Sequence, residues 1–257
     1  MSRITDAFTK DHKALIAFLT GGDPDLETTE KLICAMAREG ADLVEIGIPF
    51  SDPIAEGPII QAADERALAS GTTIDGLFSL VKNVRQKTDI PLLFMTYLNP
   101  VYKYGIEGFA EQCALCGIDG VIIPDMPYEE RAEFLSRRGA SKIELISMIT
   151  PTSRARAERI AADAEGFLYC VSSLGVTGVR QDIGTEIGEI IAEVKKTRDI
   201  PCAIGFGVSA PEQAEKMAAI SDGVIVGSAI VRIIAEHGRN SEEAVGAFVA
   251  ALRAAVR

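Results

Sequence analysis

The stretch DLVEIGIPFSDPIAEGP, Asp42 to Pro58, combines a buried strand with an acidic loop. Its first half is apolar and β-branched and is bounded by Gly and Pro, which is typical of a buried strand. Side chains alternate across a strand, so Glu45 lies on the opposite face from Val44 and Ile46. An ionised carboxylate in such a segment costs several kcal/mol unless it is paired or neutralised. The loop that follows carries a second carboxylate, Glu56.

Strand-like and helix-like stretches alternate along the whole chain, and this alternation predicts a parallel sheet with crossover helices. The predicted strands are 15–21, 42–49, 91–98, 120–126, 142–150, 166–173, 201–208 and 223–230. Eight strand–helix units in 257 residues favour a closed (β/α)8 TIM barrel over an open sheet. No linker or low-complexity tract interrupts the pattern. We therefore expect an α/β fold in which residues 1–257 form a single barrel domain, with a short extra N-terminal helix.

The composition excludes several classes of partner. A net charge of −11, from 37 acidic and 26 basic residues, disfavours nucleic acids and anionic membranes, which bind clustered Lys and Arg. No apolar run approaches the roughly 20 residues that span a bilayer, and the N-terminus does not resemble a signal peptide. We therefore expect a cytoplasmic protein. Cys113 and Cys116 form a C-x-x-C motif, but its helical context without a nearby His favours partly buried free thiols over a redox or metal site.

In a barrel of this kind the active site lies at the carboxyl ends of the strands. The polar side chains predicted there are Asp23, Glu45, Asp52, Glu56, Tyr97, Asn99, Asp125, Tyr169, Ser172, Ser173 and Thr177. Neither of the two His residues is at a strand end, which excludes a His-based triad and a His-rich metal site. Carboxylates remain as the candidates for proton transfer. Burial raises the pKa of an unpaired Glu45, so that it can serve as acid in one step and base in the next.

Four features of this part of the sequence have a plain structural alternative. Glu45 could be a buried structural residue paired with an Arg or Lys from elsewhere, and Glu56 could be a solvated loop residue. Asp125 could orient the substrate or a lid, or could accept hydrogen bonds from local backbone donors. The segment 174–180 has the Gly and small polar content of a lid, or of an ordinary surface loop.

Glycines end three consecutive strands, in Leu174–Gly178, Gly205–Gly207 and Gly227–Ala229. Loops after the seventh and eighth strands, with the N-terminus of a short extra helix, often bind phosphate in barrels. Glycine lets the backbone approach an anion closely, and the free N–H groups and helix dipole hold it. The sequence therefore predicts a phosphate site that needs no cluster of basic side chains.

These motifs closely resemble the tryptophan synthase alpha subunit family. The resemblance is carried by EIGIPFSDPIAEGP (45–58), FLTGGDP (18–24), NPVYKYGIEGF (99–109), GVTG (175–178), GFGVS (205–209) and GSAIV (227–231), in order and spacing. It implies retro-aldol cleavage of indole-3-glycerol phosphate to indole and glyceraldehyde 3-phosphate. It further implies that a beta subunit carrying pyridoxal phosphate receives the indole, in an alpha2beta2 tetramer. The chain itself would need no cofactor and no metal.

The resemblance also assigns roles to individual positions. Glu45 matches the general acid/base, and Glu56 stands where the family uses an Asp to hold the indole N–H. Tyr169 matches a tyrosine beside the substrate, and Thr177 a lid threonine that helps orient Glu45. The remaining matches are Gly178, Phe206, Gly207, Gly227 and Ser228 for phosphate, Phe18, Met95 and Asp125 for the indole pocket, and Asp52 and Pro53 for the contact with the beta subunit.

The Glu56 position departs from the family by one methylene, so its carboxylate must sit differently. Two other functions therefore stay open at this stage. The chain could be a weakly catalytic subunit that mainly activates the beta partner, or a stand-alone indole-glycerol-phosphate lyase. Cleavage by the purified chain separates these alternatives.

Overall fold

A computed structural model describes residues 2–9, 11–171, 183–205 and 207–257 and contains a closed barrel of eight parallel strands in sequence order. The strands are β1 (Ala14–Thr20), β2 (Leu43–Gly47), β3 (Leu92–Met95), β4 (Gly120–Ile122), β5 (Glu144–Ile149), β6 (Leu168–Val171), β7 (Cys202–Gly205) and β8 (Gly223–Val226). Pairing of β1 with β8 closes the barrel. The predicted (β/α)8 architecture is confirmed.

Helices surround the barrel. They are α1 (Arg3–Ala7), α2 (Leu26–Arg38), α3 (Pro58–Ala69), α4 (Ile74–Val84), α5 (Leu98–Tyr104), α6 (Ile106–Cys116), α7 (Arg131–Arg137), α8 (Ala157–Asp163), α9 (Ile183–Thr197), α10 (Pro211–Ala218), α11 (Ser228–His237) and α12 (Glu242–Ala255). Short 3-10 segments occupy Tyr128–Glu130, Gly139–Ser141, Pro151–Arg156 and Gly238–Asn240. No helix among the described residues is both long and apolar enough to cross a membrane.

The alternation of side chains along β2 has the predicted consequence. Val44 and Ile46 pack into the layer between strands and helices, whereas Leu43 packs with Leu93 and other residues inside the barrel. Glu45, which shares the face of Leu43, is therefore directed into the barrel and is fully buried.

The helix α1 closes the amino-terminal end of the barrel. Its Ile4 is fully buried within the inner cluster of side chains. The Phe8 ring, directly after the helix, lies 5.3 Å from the Phe167 ring. With this end filled by apolar groups, the carboxyl ends of the strands form the open face of the barrel.

Two predicted segments differ from the structure. Residues 227–230 were expected to continue the last strand, but β8 ends at Val226 and α11 begins at Ser228. A short apolar run does not distinguish a strand from a buried helix, and Ile230 is buried on the helix instead. Likewise, the third strand was expected to reach residue 98, but β3 ends at Met95 and α5 begins at Leu98.

Candidate active site

Glu45 lies near the carboxyl end of β2, with its side chain fully buried. Neither carboxyl oxygen has a hydrogen-bond partner among the described residues, so the structural alternative of an ion pair with Arg or Lys is not observed there. Burial alone raises the pKa of Glu45 from 4.5 to about 8. A carboxyl group with this pKa is protonated at neutral pH and can both give and take a proton there.

Tyr169, on β6, faces the same interior as Glu45. Burial, and to a lesser extent the Glu45 carboxyl, raises the pKa of the Tyr169 hydroxyl, which keeps it a neutral donor. The ring lies over Gly205, where an added Cβ would be 2.5 Å from the tyrosine hydroxyl oxygen. The absence of a side chain at Gly205 thus makes room for the tyrosine beside Glu45.

The Phe18 ring lies between the carboxyl end of β2, the strand that carries Glu45, and the residue that follows β8. The backbone of Phe18 is paired in register with Glu45. An added Cβ at Gly47 would be 2.8 Å from the Phe18 ring, and one at Gly227 would be 3.2 Å from it. Met95, half-buried at the end of β3, packs against the cluster that contains Phe18. Two of the three residues predicted for the indole pocket, Phe18 and Met95, are therefore close together near Glu45.

The first turn of α3 contributes two further apolar side chains to this cluster, Ile59 and Ile60. Sequence analysis missed them because both lie in a helix and not at a strand end. In the sequence, both residues could have been recognised by their position directly after the loop that carries Glu56.

Glu56 is half-buried, so the alternative of a freely solvated carboxylate does not hold. Its Oε2 atom is buried without a hydrogen-bond partner among the described residues and is available as an acceptor. Burial raises the pKa of Glu56, while the nearby Asp64 and Tyr97 side chains stabilise its ionised form. The Tyr97 hydroxyl accepts a hydrogen bond of 3.0 Å from the Ala55 N–H, which anchors the loop.

The described backbone groups that the sequence predicts to bind phosphate lie after β7 and β8. Gly227 immediately precedes α11, and Ser228 is the first residue of this 10-residue helix. Its first N–H groups lack partners within the helix, and the helix dipole is positive at this end. Gly207, after β7, is exposed and has a φ of +79°, a conformation that favours glycine. Gly178, Phe206 and Thr177 lie outside the described residues.

Three other predicted positions remain, namely Asp125, Asp52 and Pro53. Asp125 accepts a 2.8 Å hydrogen bond from the Leu98 N–H, and this bond holds the start of α5 in place. Asp52 is exposed and accepts a 2.6 Å hydrogen bond from the Ser51 hydroxyl, and Pro53 is half-exposed beside it. Ile54, the next residue, is 78% exposed, which is unusual for a large apolar side chain.

The described residues contain no group of three or more His, Cys, Asp or Glu side chains that could hold a metal ion. Cys113 and Cys116 are buried free thiols on α6, as the sequence predicts. Desolvation raises the pKa of both, so the thiolate form is disfavoured.

Comparison with known proteins gives consistent matches. The profile of the family described as "Tryptophan synthase alpha chain" matches residues 4–256. The tryptophan synthase alpha chain of Lacticaseibacillus casei is 47% identical over 256 residues, covering 100% of this chain and 96% of the relative. That of Geotalea uraniireducens is 46% identical over 263 residues, covering 100% and 98%.

Solved structures agree with the sequence matches. A crystal structure of tryptophan synthase subunit alpha from Legionella pneumophila superposes with a TM-score of 0.90 at 36% identity, covering 99% of this chain and 98% of the other. A structure described for mutual activation of the tryptophan synthase a2b2 complex of Pyrococcus furiosus gives a TM-score of 0.85 at 36% identity, covering 94% and 98%.

Proposed function

The chain belongs to the tryptophan synthase alpha chain family, lyases that cleave indole-3-glycerol phosphate, and we propose that Glu45 is the acid and base of this cleavage. The observation that carries the proposal is a fully buried carboxyl group without partners among the described residues, inside the open end of the barrel. Its pKa of about 8 leaves it protonated before substrate binds.

In this reaction a single group first donates a proton and later accepts one. Protonated Glu45 gives its proton to indole C3, which becomes tetrahedral while positive charge passes to the ring nitrogen. The Glu45 carboxylate then removes the proton from the glycerol hydroxyl next to the ring. The C–C bond breaks, its electrons return to the ring, and indole and glyceraldehyde 3-phosphate are released. Glu45 ends with the proton it needs for the next cycle.

Glu56 is proposed to accept the hydrogen bond from the indole N–H and to stabilise the positive charge in the intermediate. The buried acceptor atom Oε2 supports this role, because a charge-assisted hydrogen bond in a water-poor site is stronger than one in solvent. Phe18 and Met95 are proposed to contact the indole ring, and Tyr169 to donate beside Glu45. Asp125 is proposed as a further residue of the indole pocket.

The phosphate is proposed to bind the backbone N–H groups at Gly227, Ser228 and Gly207, together with Gly178 and Phe206. This assignment rests on the helix that begins at Ser228 and on the absence of side chains at the glycines. A backbone cradle also suits a chain whose net charge is −11. Thr177 is proposed as the lid residue that helps orient Glu45.

A beta subunit carrying pyridoxal phosphate is the proposed partner, in an alpha2beta2 assembly that receives the indole. The exposed Ile54 beside Asp52 and Pro53 supports an interface on this loop, since apolar side chains are normally buried where proteins associate. A cytoplasmic location remains a prediction from the composition.

Steady-state cleavage of indole-3-glycerol phosphate by the purified chain tests the assignment of roles. We expect Glu45→Gln to abolish turnover, because the amide cannot carry the proton, while binding of glyceraldehyde 3-phosphate is retained. We expect Glu56→Asp to retain or improve turnover. Near-normal rates for Glu45→Gln refute the acid/base role. Assays with and without the beta subunit separate a self-sufficient lyase from a subunit that mainly activates its partner.

A further inference from the structure

A small cavity lies where the carboxyl ends of β4 and β5 meet the start of α7 and the helix α8. Its volume is about 190 Å³, whereas one molecule of liquid water takes up roughly 30 Å³, so there is room for a small organic molecule. Because β5 lies three strands from β2 around the closed barrel, the cavity is on a different side of the barrel from Glu45. The polar side chains that line it are Tyr128, Arg131, Ser147, Thr150, Ser153 and Arg156.

One of these side chains, Arg131, is a buried cation. It begins α7 and is only 8% exposed. Its Nη2 donates a 2.7 Å hydrogen bond to the backbone carbonyl of Asp163, at the end of α8. Its Nη1 makes a long contact of 3.5 Å with the Ser147 hydroxyl. A guanidinium group has five N–H donors, so the described residues use less than half of its capacity.

No carboxylate neutralises Arg131 in the part of the chain that the structure describes, where it makes no ion pair within 4 Å. The acidic side chains around it have other partners. Glu165 accepts hydrogen bonds of 2.6 and 2.7 Å from Arg138. The Asp163 carboxylate accepts one from the Tyr128 hydroxyl. Burying a cation without a counter-charge is costly, so an anion in the cavity would stabilise it.

Two further groups in the wall can contribute to binding an anion. The Ser147 hydroxyl has no other hydrogen bond among the described residues than its long contact with Arg131, and can donate into the cavity. Arg156 pairs with Glu129 at 3.1 Å, but both side chains are about half exposed. Exposed ion pairs are weak, so Arg156 can turn towards a bound anion at little cost.

The charge of the surrounding segment also favours an anion. Residues 131–160 contain seven Lys and Arg but only three Glu, in a chain whose net charge is −11. A positive region on an acidic protein concentrates small anions locally.

We propose that this cavity is a binding site for a small organic carboxylate. The planar fork of Arg131 matches the two oxygens of a carboxylate, and the Ser147 hydroxyl supplies a further donor. Leu145 and Ile160 in the wall favour a ligand with an apolar body over inorganic phosphate.

The site is distinct from the interior of the barrel. Leu145 and Ser147 are two residues apart on β5 and therefore share its outer face, where Leu145 packs in the layer between strands and helices. The proposed binding thus does not depend on the role of Glu45. Met148, on the inner face of β5, also lines the cavity, so the test includes competition with a ligand of the catalytic site.

Isothermal titration calorimetry of the purified chain with benzoate tests the site. We expect benzoate to bind and benzamide, its neutral counterpart, not to bind. Arg131→Gln should weaken benzoate binding by about tenfold or more, because a charge-assisted pair is lost. Arg131→Lys keeps the charge without the fork and should fall between Arg131→Gln and wild type. Arg137→Gln, on the same helix and outside the cavity, is the matched control and should bind as wild type does.

A smaller substitution covers the case in which Arg131→Gln does not fold, as judged by circular dichroism. Ser147→Ala removes one hydroxyl and should weaken benzoate binding by about threefold. Absence of benzoate binding to wild type, equal binding of benzamide, or unchanged affinity in the folded Arg131 and Ser147 variants overturns the proposal.

Competition identifies the place of binding. Saturating glyceraldehyde 3-phosphate should leave the affinity for benzoate unchanged. Displacement of benzoate would assign it to the catalytic site and overturn the proposal. Binding of inorganic phosphate that depends on Arg131, without binding of benzoate, would overturn the assignment to a carboxylate. The proposed function fails by a different result, namely turnover in Glu45→Gln.

Discussion

The buried carboxyl of Glu45 makes the stability of the protein depend on pH in a defined way. In the folded protein its pKa is about 8, compared with an ordinary value of 4.5. The folded state therefore keeps the proton at pH values where the unfolded chain releases it. As a result, the free energy of unfolding falls as the pH rises from 4.5 to 8, and Glu45→Gln removes this contribution.

The magnitude follows from the two pKa values. They differ by about 3.5, and each pH unit corresponds to ~1.36 kcal/mol, so the full penalty is about 5 kcal/mol above pH 8. The same relation gives a penalty of about 1 kcal/mol at pH 5 and about 3 kcal/mol at pH 7. Glutamine also buries an unpaired polar group, but that cost does not vary with pH. The expected signature is therefore a difference in slope.

Urea unfolding of wild type and Glu45→Gln at several pH values between 5 and 8 measures this slope. We expect the variant to gain about 3.5 kcal/mol relative to wild type between pH 5 and pH 8. Contributions from other titrating groups are common to both proteins and cancel. The exposed control Glu65→Gln should track the wild type. A difference between Glu45→Gln and wild type that stays constant with pH refutes the reasoning, because Glu45 would then not be buried and neutral.

Two other variants probe the packing around the site. Gly205→Ala places a Cβ 2.5 Å from the Tyr169 hydroxyl oxygen and should cost about 1–3 kcal/mol of unfolding free energy, whereas Gly108→Ala, with its nearest contact at 3.8 Å, should not destabilise. Equal stability of the two would show that Tyr169 does not pack on Gly205. Asp125→Ala leaves the Leu98 N–H without its acceptor and should cost about 1 kcal/mol, while Asp125→Asn should retain most of the stability. Urea unfolding measures both, and a neutral Asp125→Ala contradicts the capping role.

The order of the elements and the face of Glu45 were predictable from the sequence. Both depend on local periodicity, since the repeat along a strand is two residues and that along a helix is about 3.6 residues. The boundaries near residues 98 and 228 were not predictable. There, short apolar runs suit a strand and a helix equally, and packing against the barrel selects the helix.

The candidate site was only partly predictable for a different reason. A search at strand ends finds Glu45, Glu56 and Tyr169, because parallel strands bring their carboxyl ends together. The same search passes over Ile59 and Ile60, which lie in the first turn of α3. Their position directly after the loop that carries Glu56 is visible in the sequence, but their packing against Phe18 depends on the fold.

By itself, the sequence determined that a carboxyl group points into a barrel of eight strand–helix units and that glycines end the neighbouring strands. Only the tertiary structure decided that this group has no partner among the described residues and that Phe18 lies between Gly47 and Gly227. The reason is physical. Periodicity fixes the direction of a side chain relative to its own backbone, whereas its pKa and its contacts depend on residues that the fold brings close from elsewhere in the chain.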